Sequence, residues 1–298
     1  MKKLLLLSLI VAFTISLKAQ ETGHYVNGVE GIKTGSVPGP GFYYKMYNAY
    51  YTTDALMDAN GNELDIDFDL TVFANTHRFV WIAKKGILGG NFGMNVIVPL
   101  VNTDISINAF GLADKKYGLS DITVEPFLLS WHKPKYDLAV GLAAIVPLGD
   151  FKKTEIASPG KGMWTGMLTA GGTYYFDKHK SWSAGILARY EIHSEKKDYD
   201  VTPGNDFHFE WGITKTIPMN VIWELGITGY CGWQLTDDKG SDVIYDANIH
   251  DRQFAVGPEV SLFVPKAKMS FSIRAQKEFA VIDRSEGFMN CLSVVKVF

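Results

Sequence analysis

Apolar and polar residues alternate with a period of two along most of this sequence, and no stretch after the first twenty residues carries a convincing helical period. In "DIDFDLTVFANTH", Ile66, Phe68, Leu70, Val72 and Ala74 share one face, and Asp65, Asp67, Asp69, Thr71 and Asn75 share the other. In "SWSAGILARYEIH", Trp182, Ala184, Ile186, Ala188, Tyr190 and Ile192 oppose Ser183, Gly185, Arg189, Glu191 and His193. "NDFHFEWGIT" and "KMSFSIRAQKEFA" repeat the pattern, with His208 and Glu210 on one polar face and Arg274, Gln276 and Glu278 on another. Twelve such stretches begin near Phe42, Asp65, Ile87, Gly118, Tyr136, Met163, Trp182, Asp206, Val221, Arg252, Lys268 and Gly287. Each runs roughly 10–15 residues, against ~5–6 for a strand of a globular sheet. A strand tilted across a bilayer needs about 9–11.

The connections alternate as well. "AKKGI", "HKPKY", "DKHKS", "KTIPM" and "VPKA" are short. Between them come mostly longer links such as "DALMDANGNEL", "VNTDISINAFGLADKKY" and "TDDKGSDVIYDANIHD". The pattern predicts an all-β fold: a transmembrane antiparallel up-and-down β-barrel of about twelve strands. Short periplasmic turns, longer extracellular loops and both termini on the short-turn side complete it. Closure satisfies every backbone polar group, which lipid requires. Pro126 and Pro258 fall inside strands and predict bulges, because proline removes a ladder donor.

"MKKLLLLSLIVAFTISLKAQ" has Lys2 and Lys3, an uncharged run from Leu4 to Leu17, and Ala19 as a small residue for cleavage. It reads as a secretory signal over residues 1–19, followed by a periplasmic segment at 20–41 and the barrel at 42–298. Cleavage removes three lysines and takes the formal net charge from −3 to −6, against the basic footprint of a nucleic-acid binder. Cys231 and Cys291 are the only cysteines, so the exported chain is no disulfide scaffold. The chain ends in Phe298, an aromatic end that resembles the signal read by the barrel assembly machinery. Tyr43, Tyr44, Tyr47, Tyr50 and Tyr51 crowd the first strand, where interface or lumen wall keeps a ring apolar and its hydroxyl wet.

"HYVNGVEGIKTGSVPGPGFYYKMYNAYY" resembles the bacterial outer-membrane proteins grouped under the MetA pathway of phenol degradation. His24, Tyr25, Asn27, Gly28, Glu30, Gly31, Gly35, Pro38, Pro40, Gly41 and Tyr43 carry the resemblance first. "GLSDITVEPFLLSW", "LAVGLAAIVPLGDF", "SPGKGMWTGMLTAGGTYYF" and "GYCGWQLTDDKGS" continue it in order. The resemblance implies a transport-like barrel for aromatic or other hydrophobic compounds and brings no catalytic residues.

Asp65, Asp67 and Asp69 are expected to line a solvated lumen, paired with bases such as Arg189 and Arg274. Glu191, His208, Glu210 and Glu278 are the remaining lumen candidates, since lumen faces are polar. His208 and Glu210 place no third ligand by spacing, so no metal site is expected. Ser270 and Ser272 face inward without a histidine, which predicts no lipase-type nucleophile. "DANGNELD" reads as a solvated turn. The chain is expected to be an outer-membrane channel without enzyme activity or cofactor, its partners being outer-membrane lipid and an unidentified small solute. A structural or lipid-interacting barrel is the alternative, and a barrel enzyme the third reading. Twelve strands ~4.8 Å apart at ~40° tilt give a backbone diameter of about 24 Å and a clear gap of roughly 10–14 Å. A selective channel needs that gap filled, and residues 22–40 are expected in or across the periplasmic mouth.

Overall fold

The computed structural model describes residues 23–298; the expected signal peptide lies outside them. Thirteen strands follow the alternation: β1 (Gly41–Thr53), β2 (Phe68–Ile87), β3 (Gly90–Ile107), β4 (Leu112–Leu119), β5 (Ile122–His132), β6 (Tyr136–Val146), β7 (Thr165–Tyr175), β8 (Trp182–His193), β9 (Asp206–Pro218), β10 (Ile222–Gln234), β11 (Arg252–Val264), β12 (Met269–Ile282) and β13 (Phe288–Val297). All pairings are antiparallel, and β1 pairs with both β2 and β13, closing the sheet. β4 and β5 share one place in the wall. β3 pairs with β4 over Leu100–Ile107 and with β5 over Asn91–Ile97, and Ser120 and Asp121 interrupt the two halves. The result is a closed twelve-stranded antiparallel barrel.

The short connections gather at one end with Gly41 and Phe298, whose amide donates to the Phe42 carbonyl. The long loops, 54–67, 147–164, 194–205 and 235–251, gather at the other. Outside, the wall is apolar: Leu142, Leu168, Ile186, Ile213, Ile227 and Ile273 are all about half exposed. Inside, it is charged: Arg189, Glu191, Glu210, Glu259, Arg274 and Glu278 are all buried. This is a soluble protein turned inside out, as a lipid-facing wall around a polar lumen demands.

Two expectations need correction. The link from Val101 to Tyr117 is not a loop but a hairpin, because β3 and β4 run past the neighbouring wall and stay paired to Ile107↔Leu112. Pro126 does sit at a register shift, between Val124 and Phe127. Pro258 does not: β11 pairs Val256↔Lys277 and then Glu259↔Arg274 in one register, with Gly257 and Pro258 skipped by β12 but paired to β10. A strand bonded on one flank only tolerates a missing N–H, so no bulge is needed. Lys296, which breaks the apolar alternation, stands near the short-turn rim and its ammonium donates to the Ala267 carbonyl. The long stem lies along the wall while the charge leaves it.

A Cβ on Gly257 would stand 1.7 Å from the Ala275 carbonyl oxygen, whereas one on Gly39 would meet nothing within 4 Å. Gly257→Val is therefore expected to destabilise the barrel by about 1–3 kcal/mol and to lower the temperature of its heat-modifiable gel shift, with Gly39→Ala unchanged. Equal shift temperatures for Gly257→Val and wild type would contradict this packing.

Candidate functional site

Residues 23–40 form no strand, and their partners are inward side chains of the wall. Gly23 lies against Asp206, and the His24 ring meets Thr165 and Asp121, all at the long-loop end. Ser36 donates to Asp137, and β1 begins at Gly41 at the short-turn end. The segment thus runs the length of the lumen, instead of lying only at the short-turn mouth as the sequence suggests.

Its backbone is held by wall charges. Glu191 accepts from the amides of His24 at 2.8 Å and Tyr25 at 3.1 Å. Glu210 accepts from the Glu30 amide and Glu259 from the Ile32 amide, each at 3.0 Å, and Arg274 donates to the Gly28 carbonyl at 3.1 Å. Gly28 and Gly31 have φ of +84° and +77°, a turn geometry that glycine adopts at no steric cost. Close approach fixes a third glycine: a Cβ on Gly35 would stand 2.3 Å from the backbone of Gly172.

Glu30 is the hub. Its carboxylate meets Arg78 at 2.7 Å, Arg189 at 2.9 Å and Lys45 at 3.5 Å, and the Tyr25 hydroxyl donates to it at 2.9 Å. Three cations thus converge on one buried carboxylate. Arg189 also stacks over the Tyr25 ring at 4.0 Å and donates to Glu210 at 3.2 Å.

Cavities lie on both sides of the segment, and Tyr25 lines one on each side. The one toward the short-turn end holds about 440 Å³. Ile32, Val80, Ile97, Leu128, Met167 and Leu187 give it an apolar wall, and Glu30, Arg78, Glu125 and Arg189 a charged floor. The one toward the long loops holds about 340 Å³ and includes Tyr51, Tyr230, Asp251, Glu278 and Arg284.

Six of the lumen candidates lie inside. Arg189, Glu191, Glu210 and Arg274 hold the segment directly. His208 meets Glu191 at 2.8 Å, and Glu278 accepts from the hydroxyls of Tyr51 and Tyr230. Asp65, Asp67 and Asp69 are misplaced by the sequence reading. Asp65 and Asp67 precede β2, and all three are exposed at the long-loop end. The apolar partners of the same alternation, starting with Phe68, point inward there, because close to the mouth the outer face has left the hydrocarbon and is free to be acidic. Arg189 and Arg274 accordingly pair with Glu30, Glu210 and Glu259. The sequence reading also passes over Arg78, Glu125, Glu259 and Glu30. Glu125 and Glu259 share the inward polar parity of their strands, but Arg78 falls on the even-numbered face of β2 that the alternation marks as apolar, and nothing in parity points to Glu30, which lies in no strand.

The model of the family described as "Putative MetA-pathway of phenol degradation" matches residues 53–290. Among solved structures, the COG4313 outer membrane channel from Pseudomonas putida F1 is similar, with a TM-score of 0.75 and 17% identity over 89% of this chain and 97% of that one. The beta domain of the Bordetella autotransporter BrkA aligns with a TM-score of 0.54 and 10% identity over 88% of this chain and 100% of that one. Both show a shared barrel fold. No curated protein matches this chain.

Replacing Glu30 with Gln removes the carboxylate that Lys45, Arg78 and Arg189 share and leaves Arg78 only Glu125, at 4.0 Å. Docking of residues 23–40 is expected to weaken by about 3–5 kcal/mol, read as faster amide hydrogen exchange in the segment with the barrel strands unchanged.

Proposed function

The chain belongs to the MetA-pathway phenol-degradation family, and from that premise we propose that it is a plugged outer-membrane channel for small aromatic or other hydrophobic compounds. On this reading the short-turn end faces the periplasm and the long loops face outward, as in bacterial outer-membrane barrels. The observation that carries the proposal is the occupation of the lumen by residues 23–40. A twelve-stranded wall would otherwise leave a gap wide enough to leak small solutes, and the segment occupies that gap and leaves smaller cavities on either side of it. The 440 Å³ cavity combines an apolar wall with a few convergent charges, the usual make-up of a small-molecule site. A small ring with one polar substituent matches that lining.

The segment is suited to release because it joins no ladder. Its hold is a set of separate polar contacts and glycine-mediated close approaches, and each can be exchanged for water. The reading assigns no catalytic step to the chain. The same full pairing of charges also favours a second reading, a permanently closed barrel with a structural role.

Planar-bilayer recordings decide the role of the segment. Removing residues 22–40 behind an intact signal is expected to raise single-channel conductance several-fold over the full-length protein. Normal insertion with unchanged conductance would show that the segment is no barrier. Uptake of a simple phenol by cells separates the two readings: it is expected to fall when the gene is deleted, and independence from the protein would favour the structural role.

A further inference from the structure

The long-loop end of the lumen holds a row of buried groups that neither the charged layer around Glu30 nor the channel reading uses. Asp121 meets the Nε2 of His24 at 3.0 Å, and the Nδ1 of His24 meets the Thr165 hydroxyl at 2.8 Å. The same hydroxyl meets the Nδ1 of His193 at 2.8 Å, and the Nε2 of His193 meets Asp206 at 2.9 Å. These are four contacts in series, and each needs one positive hydrogen between its two heavy atoms. Ionised carboxylates bring none, each neutral imidazole brings one, and the hydroxyl brings one. Three hydrogens serve four contacts. One contact is left as two facing lone pairs unless an additional cation fills it.

The place for that cation is between His193 and Asp206, because a further carboxylate converges there. Glu191 Oε2 lies 4.0 Å from the Nε2 of His193. One donor atom from each of Glu191, His193 and Asp206 falls within 4.8 Å of the others, and all three residues are buried. Zinc bonds of about 2.0–2.2 Å in a tetrahedral arrangement put neighbouring donors some 3.4 Å apart. The 2.9 Å gap needs to open by about half an ångström, and the 4.0 Å gap to close by about as much. If His193 gives its Nδ1 hydrogen to Thr165 and Thr165 gives its own to His24, His193 presents a bare Nε2 to both carboxylates. Holding the far ring nitrogen in this way is how proteins orient a metal-ligating histidine. Glu191 has a lone pair to spare, since the amides of His24 and Tyr25 and the His208 ring meet three of its four. Among the described charged side chains that line the 340 Å³ cavity or bond to His24, the carboxylates Asp121, Glu191, Asp206, Asp251 and Glu278 outnumber the cations Lys161 and Arg284. Asp206 also borders the 340 Å³ cavity, which gives an ion a way in.

We propose that Glu191, His193 and Asp206 form a binding site for a divalent transition-metal ion of the zinc class. The ion bridges β8 and β9 and, through the two segment amides on Glu191, fixes the outer end of the lumen segment. The site stands whether or not the lumen conducts.

The test uses tag-free, chelator-treated protein folded in detergent, titrated with Zn²⁺ by calorimetry and with Co²⁺ by visible absorption. Wild type is expected to bind one Zn²⁺ per chain and to give a Co²⁺ ligand-field band. His193→Gln is expected to lose both, and Asp206→Asn to bind at least tenfold more weakly. His250→Gln, at a half-buried loop position outside the cluster, is expected to match wild type. Each variant is compared only if it keeps heat-modifiable migration; should His193→Gln fail to fold, Asp206→Asn carries the comparison. Absence of stoichiometric Zn²⁺ binding to wild type overturns the site, as does undiminished binding in the variants. An imidazolium on His193 that persists in excess Zn²⁺ overturns it too, because the proton would then be the missing cation.

Discussion

A chain that runs irregularly through a barrel has no ladder to join, so its amides and carbonyls must be met by side chains or water. Here the wall meets them with charges. Glu191, Glu210 and Glu259 each accept from the segment backbone, and Arg274 donates to it. The same glutamates would be costly inside a lumen without such donors. Wall and segment therefore satisfy each other, and neither composition makes sense alone. The polar interior is a template for a particular backbone path as well as a wet surface.

Charge pairing gives that path its register. Glu30 reaches Arg78 on β2 and Arg189 on β8, strands on different sides of the barrel, and ties both to one carboxylate. A shift of the segment by one residue would take the shared carboxylate away from Lys45, Arg78 and Arg189 together. Buried ion pairs add little net stability over an apolar core, but they penalise misplacement heavily. The docked position is thus well defined even though the segment has no regular structure of its own.

Much of the fold was legible in the sequence because a lipid-facing barrel enforces one rule at every position. Alternation located the staves, and loop lengths gave the two ends, since both are local properties. The same rule failed where a strand leaves the hydrocarbon. At Asp65, Asp67 and Asp69 the outer face becomes the acidic one, and parity alone carries no sign. The β3–β4 hairpin was hidden for a related reason: outside the membrane a paired extension and a polar loop share the same composition. The site depends on register, which the sequence does not print. Glu191 faces Asp206 across β8 and β9, but a connection of twelve residues, 194–205, leaves that pairing open. His24 and Glu30 belong to no strand, so no periodicity could assign them.

The direction of the segment sets an order of events. Residue 23 lies near the long-loop mouth, yet the segment leads directly into β1 at the short-turn end. Residues 23–40 must therefore have come to lie within the ring that the strands form. They were either enclosed as β1 met β13 or pulled through afterward like a thread through a needle's eye. Enclosure is the less demanding course, because Arg189, Glu210 and Arg274 would collect their partners before the last seam shut. On that course the segment is a mandrel as well as a stopper: a charged core on which the final staves are shaped.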